Sequence, residues 1–194
     1  MQLIVVGMHR SGTSALGLLL EAMNCYFGPD TQVTPAQAAN PKGYSERLDV
    51  VKLHEELLSN SSARWDAPGR FFLERLSPAV LREFDAQLST ILEDFNAHSP
   101  WFVKDPRLCL MLPLWKPRLK SAFYLVAYRH PLEVAASLHK RNALPMRFGI
   151  DLWERYMADA LNYTRGERRF LVNYTQLLAQ PSTVLEQLDR KSVV

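Results

Sequence analysis

Leu3-Ile4-Val5-Val6-Gly7-Met8-His9-Arg10-Ser11-Gly12-Thr13-Ser14-Ala15-Leu16 is the stretch on which the fold turns. An apolar run of strand-forming residues stops at Gly7, a compact loop follows, and an apolar helical pattern starts near Thr13. Strand, small-residue loop and helix in that order make a phosphate-binding loop, because the loop amides and the positive end of the helix dipole face the same anion. Gly7 lets the chain turn sharply, Gly12 lets backbone N–H groups come close, and Thr13 and Ser14 add hydroxyls. The spacing Gly7-x4-Gly12 fits a nucleotide-triphosphate loop, yet the next residue is Thr13 where such a loop needs Lys. A cation stands inside the loop instead, at Arg10. The stretch is suited to holding a phosphate but not to splitting a triphosphate.

Outward from this loop, apolar runs alternate with helical patterns, which predicts an α/β domain: a three-layer, P-loop-like fold with a mostly parallel central sheet. Strands are expected at residues 3–6, 101–103, 122–128 and 170–174, with a further short one at 25–27. Helices are expected at 13–24, from about Glu46, around Leu81–Phe95 at a clear 3.6 period, and at 132–142, 152–162 and 183–188. Pro131 suits a helix start, where its missing N–H costs nothing. Residues 29–45 read as a long loop with a turn at Asn40-Pro41-Lys42-Gly43, and loops of that length are usually functional. The pattern fills residues 1–194 as a single domain. Its last helix stops without a capping signal, as if the end were cut short.

Two more polar clusters follow strands. Tyr128-Arg129-His130-Pro131 ends the most apolar strand, where α/β folds place their ligands. Ser137 and Arg141 come next, four apart on one helical face, so Arg129, Ser137 and Arg141 are expected to converge on a second anion. Lys104-Asp105-Pro106-Arg107 also follows a strand and points to the same sheet edge.

Bulk properties narrow the class. The chain has 194 residues, 47% apolar and 22% charged, enough for one real core. A net charge of +3 is too small to argue for nucleic acid. Residues 104–169 nevertheless carry 13 Lys/Arg against 6 Asp/Glu, whereas residues 1–103 carry 8 against 12, so the second half suits an anionic ligand. Cys25 and Cys109 lie far apart in apolar contexts without metal-ligand spacing, as buried free thiols do in a reducing compartment. No signal peptide or membrane-length apolar run is visible, so a cytoplasmic location is expected.

Together these pieces resemble the sulfotransferase family that uses 3′-phosphoadenosine-5′-phosphosulfate (PAPS), over about residues 3–190. Gly7 through Ser14 is similar to that family's 5′-phosphosulfate loop. An Arg within it is closer to the tyrosylprotein and carbohydrate branches than to the cytosolic branch with Lys. Arg129 with Ser137 eight residues later matches the 3′-phosphate motif. Lys104-Asp105-Pro106 resembles the Lys-Asp-Pro of the tyrosylprotein branch, where the lysine is catalytic. Asn40-Pro41-Lys42-Gly43-Tyr44-Ser45-Glu46 looks like a segment of bacterial members, its acidic residue near that branch's base. The His base of the cytosolic branch and its late Gly- and Lys-rich cofactor loop have no counterpart here.

The resemblance implies PAPS as cofactor, adenosine 3′,5′-bisphosphate as product, and a small-molecule, glycan or peptide acceptor. It implies cofactor binding by Gly7, His9, Arg10, Ser11, Gly12, Thr13, Ser14, Arg129, Ser137 and Arg141, with no metal. Arg10 and Lys104 would stabilise charge on the leaving phosphate oxygen, and Glu46 would be the base, with Asp105 the alternative. His9 is read mainly as shaping its turn, and His54, His98 and His139 as helix-surface residues. The four tryptophans are read as core, and Tyr174 as closing a strand without a chemical role. A small-molecule kinase with an altered loop, or a nucleotide-binding module without activity, are the rival readings. The kinase would need a metal-holding carboxylate, for which only Asp105 is well placed.

Overall fold

The computed structural model describes residues 1–33 and 44–192. The turn expected at Asn40-Pro41-Lys42-Gly43 lies outside the described residues. Four strands form one parallel sheet: β1 (Gln2–Val6), β2 (Trp101–Lys104), β3 (Ala122–Tyr128) and β4 (Arg169–Asn173), in the order β2-β1-β3-β4. Register runs Leu3 to Phe102 on one side of β1 and Leu3 to Phe123 on the other. The two middle strands are covered on both faces, and for that reason they read as unbroken apolar runs.

Side chains of β1 alternate between two cores, as a two-residue period demands. Ile4 and Val6 pack with Val103, Tyr124 and Val126 on one face, while Leu3 and Val5 pack with Phe102, Phe123 and Leu125 on the other. The first face is covered by α2 (Leu48–Ser59), α3 (Pro78–Asn96), α4 (Leu108–Trp115), α5 (Pro131–Asn142) and α6 (Met146–Tyr163). The second is covered by α1 (Thr13–Ala22), α7 (Tyr174–Ala179) and α8 (Pro181–Ser192). This is the expected three-layer α/β arrangement with its parallel sheet.

Some local expectations change. The 25–27 segment is not a strand but a single bridge, Tyr26 to Trp101, closed by Phe102 N donating to Tyr26 O at 2.8 Å. Tyr174 does not close β4: the Asn173 side chain accepts from Gln176 N at 3.1 Å and caps a new helix, so Tyr174 opens α7. α4 has no counterpart among the expected helices. Six of its eight residues are buried, including five in succession from Leu108 to Leu112, so its sequence shows no polar face.

Candidate active site

The C-terminal ends of β1, β2 and β3 bring the three polar clusters to one edge of the sheet, and the loop after β1 forms its floor. A Cβ on Gly7 would lie 2.3 Å from the backbone oxygen of Ala127, so only glycine lets the loop leave the sheet so close to β3. Gly7 N donates to the buried Cys109 Sγ at 3.0 Å, and burial pushes that thiol's pKa well up. Arg10 takes a left-handed backbone, φ 68°, and Gly12, φ 94°, precedes α1 without a side-chain cap. The first amides of α1 therefore have no side-chain acceptor, as an anion site requires. Ser11 Oγ is buried without a partner.

Arg10 carries the unusual electrostatics. Its Nε donates to Ser137 Oγ at 2.9 Å, and no carboxylate pairs with it among the described residues. Burial lowers its pKa, and the nearby guanidiniums of Arg141 and Arg129 lower it further. Arg129 lies over the Tyr174 ring at 4.6 Å and donates to Glu133 at 2.7 Å. Tyr174 also abuts the loop, where a Cβ on Gly12 would sit 2.3 Å from its ring.

Two clefts open on either side of Arg10. The larger, about 540 Å³, is lined by Arg10, Gly12, Ser14, Arg129 and Tyr174, with Leu178 on its apolar wall. The smaller, about 300 Å³, is lined by Arg10, Ser14, Glu46, Trp65, Arg107 and Arg141. Arg10, Thr13 and Ser14 belong to both. Arg129 lines the larger cleft and Arg141 the smaller, and both guanidiniums lie near Arg10. Pro131 and Arg141 are ten residues apart along α5, roughly 15 Å at the helical rise. Ser137 stands between them, on Arg10.

Beneath the loop lies a buried ion pair. Lys104 Nζ donates to Glu46 Oε1 at 2.7 Å and to Ser14 Oγ at 3.3 Å. The Lys104 side chain is fully buried and that of Glu46 is 12% exposed. Burial lowers the lysine pKa against the pull of Glu46 and raises the glutamate pKa against the pull of Lys104. Burial therefore works against the charged form of both partners, and their mutual attraction works for it.

Asp105 turns the other way. It is fully buried and accepts from Arg107 N at 3.0 Å, Arg107 Nη1 at 2.9 Å and the His54 ring at 2.7 Å. Burial alone would raise its pKa, but Arg107 and His54 hold it well below the usual carboxylate range. Trp115 Nε1 donates to His54 Nε2 at 3.0 Å. An indole N–H is a donor only, so His54 carries its proton on Nδ1 and gives it to Asp105. His54 is thus no surface residue: it lies with Val50, Leu53 and Leu57 on the buried stripe of α2. The other two, His98 and His139, are exposed as expected.

His9 packs on Trp65 with ring centroids 4.5 Å apart, and burial, then Arg107, pushes its pKa well down. Trp101 and Trp115 are core, but Trp65 is also a cleft wall. Arg107 reaches Glu55 at 2.6 Å, and both line the smaller cleft. Tyr174, Trp65 and Glu55 line the two clefts and are not among the residues expected at the site. For Glu55, adjacency to the buried stripe of α2 is the one available signal. Among the described residues no group of three or more His, Cys, Asp and Glu is placed to hold a metal, and no helix is long and apolar enough to cross a membrane.

No curated protein sequence matches the chain. Among solved structures, the sulfotransferase domain from the curacin biosynthetic pathway shares its fold with a TM-score of 0.58 at 18% identity, over 99% of this chain and 73% of that one. The sulfotransferase domain from the Synechococcus PCC 7002 olefin synthase gives 0.59 at 17% identity, over 100% and 74%. Sulfotransferase STF9 from Mycobacterium avium gives 0.63 at 14% identity, over 98% of this chain and 63% of that one. The sulfotransferase family model matches residues 2–190. With nearly every residue inside that match, the chain belongs to the sulfotransferase family.

Proposed function

We propose that the protein transfers a sulfuryl group from PAPS to a hydroxyl or amine on a small-molecule, glycan or peptide acceptor by in-line displacement. The observation that carries this reading is Arg10, a half-buried cation without a carboxylate partner among the described residues, standing where the two clefts meet. The residues fit the donor: Ser11 Oγ is buried and unpartnered, α1 lacks a side-chain cap, and Arg129 lines the larger cleft together with Arg10. Gly7 shapes the loop. Ser11, Gly12, Thr13 and Ser14 would hold the 5′-phosphosulfate, with His9 packed behind. Arg129 would hold the 3′-phosphate, joined by Ser137, whose hydroxyl accepts from Arg10 and still has a proton to give. PAPS supplies an activated sulfuryl group on a phosphate leaving group.

The chain's own residues then divide the work. Glu46, on the acceptor side, takes the proton of the attacking group. Lys104 loses its counter-ion as Glu46 is neutralised, and its charge, reaching Ser14, becomes available to the leaving oxygen together with Arg10. Asp105, enclosed by His54 and Arg107, is a positioning residue for this turn and not a base. Its enclosure also leaves the kinase reading without its metal carboxylate. The Arg-containing loop and Lys104-Asp105-Pro106 favour a bacterial-type member nearer the tyrosylprotein and carbohydrate branches, with residues 1–194 as one domain. Buried, unpaired Cys25 and Cys109 suit a reducing cytoplasm.

The test is thermal shift with adenosine 3′,5′-bisphosphate in the absence of Mg²⁺, beside ATP with Mg²⁺. Stabilisation by the bisphosphate, weakened at least tenfold in affinity by Arg129→Ala, is expected. Stabilisation by ATP with Mg²⁺ alone would overturn the reading.

A further inference from the structure

The amide that opens the loop after β1 is held from outside the sheet. β2 ends at Lys104, level with Val5 of β1, and the chain then turns away through Asp105 and Arg107 into α4. Nothing of β2 continues beside Gly7. Cys109, the second residue of α4, places its Sγ there instead and accepts from Gly7 N at 3.0 Å, in a buried contact. Burial alone does not call for sulfur at this position, since Ala or Val would serve an apolar helix as well. The bond to Gly7 does.

A thiol is a weak acceptor, yet a buried amide costs more to leave unpaired than the bond itself contributes. Burial also pushes the thiol pKa well up, which keeps the sulfur neutral. The amide has little room to move. On its other flank Gly7 lies against β3, where a Cβ would sit 2.3 Å from the Ala127 oxygen. The Met8 side chain is fully buried in the same core as Cys109, and Ser11 N donates back to Met8 O at 3.1 Å. The backbone from Gly7 to Ser11 therefore follows the point at which Gly7 N is held. It leads to the donors that lack a protein partner: Ser11 Oγ, buried and unbonded, and the amides of α1 without a side-chain cap. Cys109 itself lines neither cleft, so whatever it does for a ligand passes through Gly7.

Resting on the donor reading above, we propose that Cys109 is a positioning residue for the nucleotide: its sulfur holds the Gly7 amide and so sets the height of the loop on which Ser11, Gly12, Thr13 and Ser14 meet the 5′-phosphate. It does not touch the ligand. A small error in its placement is passed to several donors at once, and each hydrogen bond weakens steeply as distance and angle leave their optimum. The position requires an acceptor on a short side chain and makes no use of thiol reactivity. Serine meets that requirement, and its own proton can go back to the Asp105 carbonyl four residues earlier. Alanine and valine do not meet it: the first leaves space without an acceptor, the second fills the space without one.

Calorimetry with adenosine 3′,5′-bisphosphate on the full chain tests this in the wild type, Cys109→Ser, Cys109→Ala and Cys109→Val, beside solvent exchange of the Gly7 amide followed by NMR. Cys109→Ala and Cys109→Val are each expected to lose about tenfold or more in affinity, and Cys109→Ser to bind about fivefold or more tightly than either. The serine variant is expected to melt below the wild type, because a buried hydroxyl replaces sulfur, and still to bind, a pattern that a general loss of stability does not give. A smaller loss than that in Cys109→Ala or in Cys109→Val overturns the proposal, and so does a serine variant that binds no better than they do. The Gly7 amide is expected to exchange about tenfold faster in Cys109→Ala and at the wild-type rate in Cys109→Ser. Equal protection in all four proteins overturns the proposal as well. Failure of the wild-type chain to bind the bisphosphate is a different result: it overturns the donor reading, and the Gly7 exchange rates then still decide whether the sulfur holds the loop.

Discussion

Arg10 combines two costs in one residue: a left-handed backbone at φ 68° and a guanidinium with no carboxylate among the described residues. A left-handed non-glycine residue costs about 1 kcal/mol, and such strain concentrates at functional sites. Arg10→Gly is therefore expected to be about 1 kcal/mol more stable than Arg10→Ala in urea unfolding, with both variants losing bisphosphate affinity. Equal stability would show that the backbone is not strained. Glu46 has the complementary role. Its raised pKa means that the ionised, proton-accepting form appears only as pH climbs past the usual carboxylate range. Turnover is expected to rise with pH through that raised value. Glu46→Gln should remove this limb and lower kcat by about 10²–10⁴, with bisphosphate affinity retained. A comparable loss of affinity would mean that Glu46 holds ligand and does no proton transfer. Arg10 and Glu46 stand out in the sequence because each departs from its context, a cation in a glycine loop and an acid after a loop. His54 does not stand out: a lone histidine in an amphipathic helix looks exposed until positions 50, 53, 54 and 57 are counted together as one apolar stripe.

At the scale of elements, the two middle strands are legible because burial on both faces removes every polar residue from their middles, whereas the edge strand β4 leaves Leu171 exposed. β3 runs from Ala122 to Tyr128, the expected span. α4 is illegible for the same physical reason turned against the reader: a short helix buried nearly all round has no 3.6 period to detect. α6 begins at Met146, six residues before its expected start, because Pro145 supplies the extended residue ahead of it. The end of α5 carries a measurable defect. Ala143 caps it in the left-handed region, φ 55°, with its N–H on His139 O at 2.9 Å, a position that glycine fills best. Ala143→Gly is expected to stabilise the protein by about 0.5–1 kcal/mol in the same urea assay. A loss of stability would show that the Ala143 methyl packs more than its backbone strains. Since α5 spans the distance between the two clefts, this substitution also reports how firmly Arg141 is held.

Across the whole molecule, the site is assembled from the loop after β1, the residues before α2, the turn after β2, the end of β3, one face of α5 and the first residue of α7. No window of sequence contains it, and charge counts show only that the second half is basic. The pairings that matter, Lys104 with Glu46 and Asp105 with His54, join residues 58 and 51 positions apart, a separation that only the fold closes. The two clefts that meet at Arg10 have a kinetic meaning. Their linings share Arg10, Thr13 and Ser14. On the proposed reading, donor and acceptor occupy the protein at the same moment, and no side chain has to store the sulfuryl group between them. Initial rates measured against both substrates should therefore give intersecting reciprocal lines, where parallel lines would reveal a sulfated enzyme.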